Sequence, residues 1–110
     1  MLEKIRSLRA EIDELNLRLL ELLSRRAEAA AEIGALQTEL GASQYDPVRG
    51  QEMLDALVAA NRGAFDAGTV KSLFKQIFQA SMQLGQAAQK RDYLTSRAAR
   101  SHDTVVEVKG

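Results

Sequence analysis

Residues 5–40 read IRSLRAEIDELNLRLLELLSRRAEAAAEIGALQTEL, and this stretch decides the fold. Apolar side chains recur at steps of three and four: Ile5, Leu8, Ile12, Leu15, Leu19 and Leu22, then Ala29, Ile33, Leu36 and Leu40. That spacing is the buried stripe of a long helix packed on other helices. No Pro or Gly interrupts it before Gly34, so one helix is expected from about residue 3 to about residue 40, with Gly41 as its C-terminal cap. One position of the series is charged, and it is Arg26. A cation in an apolar stripe is costly unless something anionic answers it. No acid shares the stripe, which leaves an acid from another helix or an anionic ligand. The rival reading is that Arg26 carries its charged end out to the edge of the bundle. On spacing alone the two readings stand level.

A helix of ~38 residues is about 57 Å long. A compact domain of this size has a radius of gyration of only about 13 Å. Two short helices cannot cover such a stripe, so a second copy of the chain is the expected source of cover.

Beyond Gly41 the chain turns through Ala42, Ser43, Gln44 and Tyr45. Asp46 then precedes Pro47, the single proline. An Asp N-cap with Pro at the first helical position is a strong helix start. The spacing predicts a second helix to about Asn61 with Val48, Met53, Leu54, Leu57 and Val58 on its apolar side, ended by Gly63. Asp66 or Thr69 caps a third helix whose inner stripe is Val70, Leu73, Phe74, Ile77, Phe78, Ser81 and Met82. Ser81 on that stripe is read as a small packing residue bonded to its own backbone. From Ser96 to Asp103 the character turns polar and basic, like a linker, and Thr104 to Val108 is β-branched and reads as a short strand. The division expected is a helical domain over 1–95, then a linker and the first strand of a further domain over 96–110.

Composition narrows the function. The 15 basic and 15 acidic residues cancel, so bulk electrostatics points to neither nucleic acid nor an anionic membrane as partner. There is no Cys, which rules out a thiol nucleophile and a thiolate metal site. His102 is the single histidine and lies in the polar tail, so no metal site is expected. No apolar run approaches the roughly 18 residues of a membrane span. The start of the chain, with Glu3, Lys4 and Arg6, does not read as a signal peptide, so none is expected. The expected compartment is the cytoplasm.

Three arginines are candidates for one anion site: Arg9, Arg26 and Arg49. Arg9 and Arg26 are 17 residues apart, about 25 Å along a helix, so they can meet only if Arg9 comes from the partner in an antiparallel dimer. Arg49 falls in the first turn of the second helix, where backbone N–H groups also favour an anion. Arginine suits bidentate capture of carboxylates, which makes a small dicarboxylate the best ligand on these residues. Taken singly, Arg9 and Arg49 are more easily read as solvated surface residues.

The pattern Leu8-Arg9-x-x-Ile12-Asp13-x-Leu15-Asn16, then Leu22-Leu23-x-x-Arg26, then Ala30-x-x-Ile33-Gly34, resembles the all-helical chorismate mutases. The likeness continues through Tyr45-Asp46-Pro47-Val48-Arg49 and Leu73-Phe74-x-x-Ile77-Phe78. More specifically, the chain resembles the mutase domain at the N-terminus of some bacterial DAHP synthases, and its tail from Thr104 to Gly110 is similar to the entry into that synthase barrel. The resemblance implies an all-α fold of three helices per chain, with one very long first helix, in an interlocked antiparallel homodimer. It implies rearrangement of chorismate to prephenate in aromatic amino acid biosynthesis, with no cofactor. It implies that Arg26 and the partner's Arg9 bind the two carboxylates, that Arg49 supports the substrate, that Asp46 lies beside its hydroxyl and that Ser81 lies near a carboxylate.

The chain departs from the family pattern at three positions. Gln37 stands where the family has a lysine that donates to the ether oxygen, Gly50 where it commonly has an acid, and Gly85 where a Gln or Glu gives the second donor. Losing one preorganised donor costs ~10²–10³ in rate. The expectation is therefore weak mutase activity resting on Gln37 and Arg49. The alternative is a retired site that senses chorismate or prephenate and regulates an attached or associated DAHP synthase.

Overall fold

The computed structural model describes the backbone of residues 1–43 and 46–109, and the side chains of 1–43, 46–87 and 94–95. Three helices follow in order: α1 (Leu2–Glu39), α2 (Pro47–Ala60) and α3 (Ala67–Lys109). The all-α class and the long first helix are as the spacing predicts.

The helix ends explain themselves. Gly41 adopts φ +72°, which costs glycine little. It donates to the Thr38 carbonyl at 3.0 Å while Ala42 donates to that of Gln37 at 2.8 Å, a paired closure that satisfies the last carbonyls of α1. Asp46 caps α2 by accepting from the Arg49 amide at 3.0 Å, with Pro47 at the start of the helix. Asp66 accepts from the Thr69 amide at 2.7 Å. That bond and a second from the Thr69 hydroxyl hold the Asp66 carboxyl below its usual range. Between α2 and α3, Asn61 folds the turn on itself, donating to the Phe65 carbonyl at 2.7 Å and accepting from the Gly63 amide at 3.0 Å.

α3 packs on both α1 and α2, and among the described residues α1 touches α2 through the Arg26–Met53 contact. Among the described residues the buried set is small: Leu54, Val70 and Ser81, with Gly34 and Gly85. The molecule measures 77 × 37 × 15 Å with a radius of gyration of 21.0 Å, well above the compact value of about 13 Å.

Two findings bear on these expectations. Within one chain α1 meets α3 through Arg26 and a row of small residues, and most of the apolar stripe is left uncovered. Ala27, Ala30, Ala31 and Gly34 are the half-buried or buried residues, whereas Leu22, Ile33 and Leu36 are 60%, 56% and 52% exposed. The physical reason is backbone approach: a Cβ added at Gly85 would lie 3.9 Å from the Ala31 Cα, a spacing that only small residues permit. The apolar residues of the stripe from Ile5 to Leu22 are left exposed, as the length of the helix requires of a single chain. Second, residues 96–109 are neither a linker nor a strand at Thr104–Val108, because α3 continues as helix to Lys109. β-Branched residues favour a strand only where a neighbour can pair with them, whereas a helix satisfies its backbone locally.

Candidate anion-binding site

All three helices meet at Arg26. Its Nη1 donates to the Ser81 hydroxyl of α3 at 3.1 Å, and its Nη2 reaches the Met53 sulfur of α2 at 3.9 Å. The guanidinium carbon lies 4.7 Å from the centroid of the Phe78 ring. The side chain is half-buried. Each of these contacts is to an uncharged group. Among the described residues the ion pair formed is Arg25 with Glu21 at 3.2 Å, both exposed, so Arg26 has no carboxylate partner there. The snorkelling alternative is not what the chain does: the cation turns inward.

Arg26 and Arg49 line one open recess of about 280 Å³, completed by Met53, Ala56, Leu57, Phe74 and Phe78. Two guanidinium groups over an apolar floor suit a small anion with an apolar body. A larger apolar groove of about 590 Å³ runs beside it between α1 and α3, lined by Leu23, Ala27, Leu73, Gln76, Ile77, Ala80, Ser81 and Leu84.

The other residues singled out in the sequence fall as follows. Ser81 is buried and holds Arg26, rather than bonding its own backbone. Asp46 is engaged as the cap of α2, three residues before Arg49. Gln37 is half-buried near the end of α1. It shares a helix face with Arg26 because 11 residues make three turns, about 16 Å along the axis. Arg9 is exposed near the far end of α1, about 25 Å from Arg26 along the helix. A Cβ at Gly50 would meet nothing within 4 Å, so that position is open. His102 lies outside the described side chains.

Met53, Phe74 and Phe78 are the residues the sequence reading missed. All three scan as ordinary stripe members, and the signal for Phe78 is its four-residue spacing from Phe74, which puts two rings on one face of α3. Among the described residues no group of acidic, histidine or cysteine side chains could hold a metal ion. No helix there is long and apolar enough to cross a membrane.

Comparison with known proteins points the same way. The family model described as chorismate mutase type II matches residues 8–86. A solved chorismate mutase from Thermus thermophilus (form II) is 49% identical with a TM-score of 0.74, covering 76% of this chain and 94% of that one. A Helicobacter pylori chorismate mutase solved in complex with prephenate is 30% identical, TM-score 0.72, covering 78% and 93%. Among curated proteins, the bifunctional chorismate mutase/prephenate dehydratase of Pseudomonas aeruginosa is 33% identical over 76% of this chain. That of Aquifex aeolicus is 26% identical over 99%. The chain spans only 24% and 31% of those two relatives, and both are named with a dehydratase rather than a DAHP synthase.

Proposed function

Since this chain belongs to the chorismate mutase type II family, we propose that the recess between Arg26 and Arg49 binds chorismate and prephenate and converts the first to the second, slowly. The observation that carries this reading is the state of Arg26. It is a half-buried cation turned inward and held by three uncharged groups, so its charge stays available to a carboxylate. The prephenate bound to the Helicobacter pylori relative is a ligand of that chemistry.

The reaction is a one-step rearrangement in which the ether C–O bond breaks as a C–C bond forms, with no proton transferred. The protein's work is to hold the folded conformer and to stabilise charge on the departing oxygen. Arg26 and Arg49 hold carboxylate and ring. Asp46, fixed as a helix cap, lies beside the hydroxyl. Gln37 supplies a neutral donor to the ether oxygen in place of a cation, which is why slow turnover is proposed. The second carboxylate is taken by Arg9 of a second copy in an antiparallel homodimer. The bare leucine stripe of α1, with Leu15 46% and Leu19 55% exposed, supports that assembly.

A second reading is a sensor whose turnover is lost while prephenate binding regulates another enzyme. Gln37 and Gly85 at the donor positions favour it. The tail's resemblance pairs the domain with a DAHP synthase, whereas the bifunctional relatives show a dehydratase beside it. Loss of chorismate absorbance on the purified chain, with prephenate calorimetry on the same sample, separates the readings. Turnover supports the enzyme, binding without turnover the sensor, and neither refutes both.

A further inference from the structure

The recess raises a question the carboxylate reading does not answer: what keeps Arg26 aimed inward when no carboxylate holds it? A free guanidinium with four rotatable bonds gains entropy and hydration by swinging out. Here it lies 4.7 Å from the Phe78 centroid, inside the ~6 Å at which a ring face attracts a cation. Arginine stacks well on such faces because its fork is planar. Phe78 is itself held, since Phe74 sits one turn earlier with ring centroids 6.1 Å apart and planes tilted by 54°, an arrangement aromatic pairs prefer. The Ser81 hydroxyl then fixes Nη1 from the same helix, at 3.1 Å.

We propose that Phe78 is a positioning residue for ligand binding, whose ring face orients the Arg26 guanidinium toward the recess without neutralising it. A carboxylate in the same place would also hold the arginine, but it would cancel the charge that an anionic ligand needs. A ring face attracts the cation and leaves its formal charge intact. The proposal rests on the anion-binding reading above for its ligand, but not for its geometry.

The test has two arms. In nitrogen-15-labelled protein, the Arg26 Nε–H proton is expected upfield of an ordinary arginine because the guanidinium carbon it neighbours lies over the Phe78 ring. Phe78→Tyr keeps that shift and Phe78→Leu abolishes it. By prephenate calorimetry, Phe78→Leu is expected to weaken binding about 5-fold, and Phe78→Tyr to stay within about 2-fold of the parent. A parent with no upfield Arg26 resonance overturns the proposal whether or not any variant folds. So does a folded Phe78→Leu protein that binds prephenate within about 2-fold of the parent. A parent that shows the shifted resonance and binds no prephenate overturns the anion-binding reading and leaves the placement of Arg26 standing.

Discussion

Gln37→Lys isolates the chemistry of the ether-oxygen donor. The substitution is quiet structurally. Lysine and glutamine have nearly equal helix propensity, and a cation in the last turn of α1 meets the favourable end of the helix dipole. The Gln37 carbonyl is engaged by the Ala42 amide at 2.8 Å, a backbone contact that the new side chain leaves alone. Position 37 is half-buried and shares its helix face with Arg26, three turns away. The size of the effect follows from the chemistry. Deleting a preorganised donor costs ~10²–10³ in rate, glutamine already supplies part of that as a neutral donor, and a charged donor is roughly twice as strong. A gain in kcat of about 10- to 100-fold is expected, or about 1.4–2.7 kcal/mol of barrier. KM should move little, because the charge being stabilised develops in the transition state. Initial rates of chorismate disappearance across a concentration series measure both constants. A Gln37→Lys protein that binds prephenate like the parent and turns over within about 3-fold of it would refute the donor argument.

Three further outcomes follow from the helices. Gly85→Ala should stabilise the chain by about 0.5–1 kcal/mol, since glycine is costly inside a helix and the added carbon meets the Ala31 Cα at an ordinary 3.9 Å; urea midpoints at constant slope read this out. Asp66, whose carboxyl is lowered from 3.8 by its bonds from Thr69, contributes stability that is complete above 3.8 and lost as pH falls through the lower folded value; an acid titration followed by circular dichroism should flatten over that window in Asp66→Asn. Leu15→Glu places a charge on the bare stripe of α1, so sedimentation equilibrium should find the parent at twice the 12.1 kDa chain mass and the variant at that mass, whereas a monomeric parent would remove the second copy from the account.

Much of this architecture is legible because local signals agree. The uninterrupted apolar series, the Asp46-Pro47 start and the positive φ of Gly41 belong to single segments of chain. The packing face of α1 is less legible, because Ala27, Ala31 and Gly34 carry little hydrophobic signal and their role depends on how closely α3 approaches. Thr104–Val108 misleads for a related reason: β-branched composition speaks for a strand only when a partner strand exists. Arg26 announces itself by breaking an apolar series. Phe78 and Met53 do not, because their part in the site arises only where three helices converge, and the stripe that brings them there is the stripe any core would use.

Prephenate titration calorimetry on the parent and on Arg26→Ala tests most directly whether Arg26 is held unneutralised to receive an anionic ligand. Truncating one partner of a buried charge pair costs about 2–5 kcal/mol, so saturable binding by the parent should weaken by about 30-fold or more in the variant. An Arg26→Ala protein that binds prephenate as tightly as the parent would contradict the account.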